Sequence, residues 1–142
     1  MKLLHKELSN KILNSFYEVY RELGYGFLEK VYENSLFQEL KSKGLYCEKQ
    51  RSIDVFYKEK IVGRYYADLI VEDKIIIELK ACAIVDEHIF QLLNYLKATD
   101  IEVGFVLSFG KEATFARRVF SNDKKKVHKS NNRNTDYTEE RG

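Results

Sequence analysis

Three ionisable residues sit where a soluble protein seldom keeps them. Asp68 lies within IVGRYYADLIV (61–71), which reads as a strand, and Glu78 and Lys80 follow directly on Ile75-Ile76-Ile77 in the next one. A run of β-branched residues marks a strand buried on both faces. A carboxylate and an ammonium in such a strand are costly unless something compensates them. Side chains alternate along a strand, so Glu78 and Lys80 share a face with Ile76 while Leu79 takes the other. Two carboxylates and a lysine converging on a buried sheet are the parts of a divalent-metal hydrolytic site. Hard divalent ions favour carboxylate and carbonyl oxygens. They acidify bound water and neutralise charge developing on a phosphate. The bland alternative is a structural ion-pair network on a half-open sheet face.

Register decides between these readings. With Glu72-Asp73-Lys74 as the turn, Val71 pairs with Ile75 and Asp68 falls opposite Glu78 on the same face. With Glu72-Asp73 alone, Asp68 pairs with Ile77 and the carboxylates point to opposite faces. The three-residue turn is the expected one, because it keeps Asp68 and Glu78 together.

The elements around this hairpin follow from periodicity. Residues 5–23 read as an amphipathic helix with Leu8, Ile12, Leu13, Phe16, Val19, Tyr20 and Leu23 on its apolar stripe, stopped by Gly24. A second helix spans about 28–43, with Leu28, Val31, Tyr32, Ser35, Leu36 and Leu40 on one side. Glu29 sits in its first turn, where the helix dipole favours an acid. Strand character from Leu45 to Tyr57 and the two strands of the hairpin make an antiparallel meander. A helix over 87–99 carries Ile89, Leu92, Leu93 and Leu96 as its core stripe, with Gln91 and Tyr95 on a second face. Residues 103–109 read as a buried fourth strand, which makes the intervening helix a right-handed parallel crossover. Residues 113–120 read as a short last helix, and 121–142 as a disordered polar, basic tail.

The chain of 142 residues is long enough for one domain with a real core. No stretch approaches a membrane span, and MKLLHKELSNKI lacks an apolar signal core, so an intracellular, cytoplasmic protein is expected. Of 24 Lys/Arg and 22 Asp/Glu, residues 121–142 hold six and four, which leaves the first 120 residues balanced. A neutral domain gives no bulk electrostatic argument for nucleic acid, so binding would need a local basic face or a metal. Cys47 and Cys82 make neither a disulfide framework nor a zinc motif and read as small buried hydrophobes. Ten tyrosines offer aromatic surface that would allow a homodimer.

Gly26-Phe27-Leu28-Glu29-Lys30-Val31-Tyr32 spells G-x-x-E-x-x-Y. With Asp68, Glu78-x-Lys80 and Gln91-x-x-x-Tyr95 following in order, the chain resembles the bacterial GxxExxY family of the PD-(D/E)XK nuclease-like superfamily. The resemblance covers roughly residues 5–120. One departure is that Ala67, not proline, precedes Asp68. The resemblance implies an α/β (α+β) restriction-endonuclease-like core: two N-terminal helices, a β-meander, a crossover helix and a fourth strand, forming a mixed four-stranded sheet flanked by helices. It implies a nuclease dependent on Mg²⁺ or Mn²⁺ and acting on nucleic acid. Asp68, Glu78 and the Leu79 backbone carbonyl would hold the metal, with Glu29 reaching in from its helix. Lys80 would orient or deprotonate the attacking water. Gln91 and Tyr95 would steady the site and touch the nucleic-acid backbone. A non-catalytic nucleic-acid- or protein-binding module of the same fold is the second reading.

Overall fold

The structure, a computed structural model, describes residues 3–126. Two helices come first, α1 (Lys6–Leu23) and α2 (Glu29–Ser42). They are followed by strands β1 (Cys47–Tyr57), β2 (Lys60–Val71) and β3 (Ile75–Lys80), helix α3 (Asp86–Lys97), and strands β4 (Val103–Phe109) and β5 (Ala113–Val119). A single 3-10 turn, Asn122–Lys124, closes the described part. The strands form one mixed sheet in the order β1-β2-β3-β4-β5. Only β3 and β4 run parallel, and α3 is the crossover between them. No helix among the described residues is long and apolar enough to cross a membrane.

Each face of the sheet carries its own core. Under α1 and α2 lie Ile12, Phe16, Tyr32, Leu36 and Leu40, packed on Leu69, Ile77, Leu79, Phe105 and Phe109. All seven residues of the expected α1 stripe join this cluster. On α2 the stripe begins only at Tyr32, because Leu28 and Val31 are exposed. Tyr32 stacks on Phe109 with ring centroids 4.4 Å apart, and its hydroxyl donates to the Gly24 carbonyl at 2.7 Å. It thereby ties the α1–α2 connection to the core. The opposite face joins Leu92, Tyr95 and Leu96 of α3 to Ile76 and Val106. A Cβ at Gly104 would stand 2.5 Å from Leu92 Cδ1, so glycine there lets α3 approach the sheet.

Three expectations need correction. Residues 113–119 form a fifth strand, not a helix. Every residue of β4 is buried, so its backbone needs a partner on both sides. β5 supplies the second partner along the whole length from Val103↔Val119 to Phe109↔Ala113. The first residues of the expected tail, 121–126, also contact the rest of the fold. Lys125 is 2% exposed, and its ammonium donates to the carbonyls of Thr99 at 2.8 Å and Ile101 at 2.7 Å. Those groups follow the end of α3, where carbonyls lack helical partners. The rest of the expected tail, 127–142, lies outside the described residues. Finally, Cys47 is buried as expected, but Cys82 is exposed.

Candidate functional site

The β2–β3 ladder pairs Val71 with Ile75, Ile70 with Ile76 and Leu69 with Ile77, and then stops. This is the register of the three-residue turn. The turn is built without glycine. Glu72 and Asp73 take left-handed φ of 55° and 58°, and the Lys74 N–H donates to the Val71 carbonyl at 2.9 Å. Glu72 is tied to Tyr46 by two hydrogen bonds of 2.7 Å, and Asp73 to Arg51 by an ion pair of 2.7 Å.

Beyond Leu69 and Ile77, side chains replace the ladder. The Leu79 N–H donates to Asp68 Oδ2 at 2.8 Å, and the Asp68 N–H donates to Glu78 Oε2 at 3.1 Å. On the other flank, Lys49↔Leu69 and Arg51↔Ala67 pair, but Gln50 and Asp68 between them do not. Gln50 is left-handed, with φ 53°. Face alternation fails at the same place. Leu69 and Val71 pack under α1 and α2, whereas Ala67 and Tyr65, of the same parity, pack under α3. The β1–β2 ribbon therefore turns over at Asp68 as it leaves β3, and the break opens at the carboxylates.

Electrostatically the site is unresolved within itself. Glu78 is 4% exposed, and its pKa is pushed up to about 9. Burial is the main cause and the Asp68 charge the next. The Asp68 N–H and the Lys80 ammonium pull the other way, and Glu29 adds to the rise. Lys80, half-buried, makes none of the ion pairs found among the described residues. Leu79 turns its side chain into the core under α1 and α2, so its peptide lies between the two charged residues.

Other elements complete the surroundings. Glu29, the first residue of α2, is exposed, and its charge reaches both Glu78 and His88. Glu33, one turn later, is 5% exposed; its Oε1 accepts from Gln50 Nε2 at 3.1 Å. The same nitrogen donates to Asp68 Oδ1 at 3.1 Å. On α3, Tyr95 sits within the core stripe beside Leu92 and Leu96, not on a separate face as its spacing suggested. Its ring lies 5.2 Å from that of Tyr65. Its hydroxyl pKa is raised by burial and then by the charges of Glu78 and Asp68, and Gln91 hydrogen-bonds to it. Tyr95 is thus both core and site wall. His88 Nδ1 accepts the Val85 N–H at 3.2 Å, which helps cap α3, and burial and Lys80 lower its pKa.

The structure thus brings Asp68, Glu78, Lys80, Gln91 and Tyr95 together, and leaves Glu29 at the rim. The sequence reading missed Gln50 and Glu33. Glu33 was legible as the residue one turn beyond Glu29 on the same helix face. Gln50 was not, because nothing in its type signals a left-handed backbone.

Among the described residues no group of three or more His, Cys, Asp and Glu side chains is placed to hold a metal ion. The donor chemistry still fits a hard divalent cation through two carboxylates and a peptide carbonyl. A buried carboxyl held protonated against a neighbouring carboxylate is a cost that a cation would lift.

A family model described as the PD-(D/E)XK nuclease superfamily matches residues 6–119, all of the layered core from α1 to the end of β5. No curated protein and no solved structure matches the chain. The chain belongs to the PD-(D/E)XK nuclease superfamily.

Proposed function

We propose that this protein is a metal-dependent nuclease that hydrolyses phosphodiester bonds in DNA or RNA, with Asp68, Glu78 and Lys80 as its core site. Within the superfamily, the Gly26–Tyr32 motif supports membership of the GxxExxY group. The observation that carries the reading is the pairing of Asp68 with a buried, protonated Glu78 where the β2–β3 ladder ends. Asp68, Glu78 and the Leu79 carbonyl would hold Mg²⁺ or Mn²⁺, with Glu29 reaching in from the rim as a further oxygen donor. When bound, such an ion acidifies water and offsets charge on the scissile phosphate. Lys80 orients the attacking water and stabilises the negative charge that develops on the phosphate oxygens. Gln91 and Tyr95 brace the carboxylates from α3 and face the nucleic-acid backbone.

The second reading is a binding module that keeps the fold without cleaving. One experiment separates the two. Mn²⁺ is titrated by calorimetry into wild type, Asp68→Ala and Glu78→Ala, and single- and double-stranded DNA and RNA are offered as substrates to the same samples. Metal binding and cleavage in wild type, both lost in the variants, is the expected result. Nucleic-acid binding without metal binding or cleavage would establish the module instead.

A further inference from the structure

Glu33, Gln50 and Asp68 come from three elements and meet through one amide. Gln50 Nε2 stands 3.1 Å from Glu33 Oε1 and 3.1 Å from Asp68 Oδ1. Both partners are carboxylates, which only accept, so the NH₂ end must face them and the carbonyl end must face away. Each hydrogen serves one carboxylate. Asp68 is then held at both oxygens, Oδ1 by Gln50 and Oδ2 by the Leu79 N–H at 2.8 Å. A carboxylate bound at both ends cannot rotate.

This arrangement costs the backbone something. Gln50 adopts φ 53°, a region sparsely populated by residues other than glycine, asparagine and aspartate. It also leaves its place in the ladder opposite Asp68. Strain of this kind persists where the surroundings over-determine it, and here it aims the amide between the buried Glu33 and the half-buried Asp68. Glu33 is 5% exposed on the first half of α2, and its other oxygen meets Lys30 Nζ at 3.4 Å. Without Glu33 the amide would keep only one of its two anchors, and the Gln50 side chain could swing while still facing Asp68.

We infer that Glu33 and Gln50 form a positioning pair that presets the Asp68 carboxylate, with Glu33 anchoring the Gln50 amide in place and the amide fixing Asp68. The inference rests on the metal-site reading for its purpose, but the positioning itself can be read without metal. Groups that orient a ligand typically change metal affinity by roughly 10- to 100-fold when removed.

The test uses Gln50→Gly, Glu33→Ala and Glu33→Gln in the full chain. Glycine accepts the left-handed backbone, so Gln50→Gly removes the amide while relieving strain, and its Tm should match or exceed wild type. Exchange of the Leu79 amide hydrogen is followed in the metal-free proteins, and Mn²⁺ affinity is measured alongside. Gln50→Gly and Glu33→Ala should speed Leu79 exchange by about tenfold, the worth of a hydrogen bond of roughly 1.4 kcal/mol. Both should weaken Mn²⁺ binding by roughly 10- to 100-fold. Glu33→Gln keeps an acceptor oxygen and should restore most of both properties. Unchanged Leu79 exchange in Gln50→Gly and Glu33→Ala would overturn the positioning pair. Glu33→Gln behaving as badly as Glu33→Ala would also overturn it, and would make Glu33 a charge-bearing ligand. If wild type fails to bind Mn²⁺ while Leu79 exchange still responds, the positioning stands and the metal reading falls.

Discussion

Glu78 and Lys125 are both almost wholly buried, at 4% and 2% exposed, and the protein treats them in opposite ways. Lys125 puts its ammonium against two carbonyls at the end of the crossover, with the acids Glu102 and Asp100 in electrostatic range. Its pKa still falls to about 8 through burial, but its donors are used. Glu78 meets one backbone N–H and a second carboxylate. Its pKa rises to about 9, and its neighbours leave it short of positive charge. The two residues also lie toward opposite ends of the parallel pair. Lys125 binds just before the Ile75↔Val103 pairing, and Glu78 precedes the last pairing, Lys80↔Ser108, by two residues. A buried charge supplied with its own partners is architecture. A buried carboxyl set against a second carboxylate marks a candidate functional site.

The largest expected effect comes from removing the ionisable group at Glu78. Glu78→Gln should lower cleavage by on the order of 10³-fold in a metal-dependent assay, as loss of a charge-bearing group at a reaction centre does. Its effect on stability should be the reverse. In the metal-free protein Glu78 keeps its proton up to about pH 9, whereas the unfolded chain releases it near 4.5. The stabilising contribution is therefore fully present below pH 4.5 and is lost as pH rises toward 9. Urea unfolding across this window should show wild type losing roughly 6 kcal/mol, and Glu78→Gln should flatten the slope. An equally steep slope in the variant would place the linkage elsewhere.

Lys125→Met tests the other half of the contrast. It keeps the side-chain length but leaves the Thr99 and Ile101 carbonyls without their donor. The expected cost is about 2–3 kcal/mol in unfolding free energy, because buried acceptors lose a charged partner. At temperatures well below its Tm, the kcat of the variant should equal that of wild type. A loss of cleavage without a loss of stability would mean that the two ends of the sheet are coupled.

Much of this molecule could be read from its residues. The α1 stripe, the Gly24 stop, the buried fourth strand and the crossover all follow from periods of 3.6 and 2 with glycine punctuation. Lys125 could not be read, because a lysine in a polar run looks solvated until the fold shows carbonyls waiting for it. β5 could not be read either. Its alternation is blurred by half-exposed positions along ATFARRV, and its reason to exist is the open edge of β4. Gln50 is the hardest case. Its backbone is left-handed, and the partners of its amide, Glu33 and Asp68, are distant in sequence.

The hairpin register raises a last question of cause. Leu69-Ile70-Val71 and Ile75-Ile76-Ile77 are apolar on both faces, so a slip by one residue would expose nothing. The register must be held at the ends, by the turn or by Asp68 and Glu78. Asp73→Gly distinguishes them. It relaxes a left-handed position at φ 58°, worth about 1 kcal/mol. It also removes an ion pair to Arg51 in which Asp73 is 68% exposed, worth less than about 1 kcal/mol. Stability should change by no more than ~0.5 kcal/mol. If the carboxylate end sets the register, cleavage should be unchanged, because the Asp68–Leu79 bond and both Glu72–Tyr46 bonds remain. Cleavage lost at unchanged Tm would show that the turn sets the register, and that Asp68 and Glu78 meet only because the turn holds three residues.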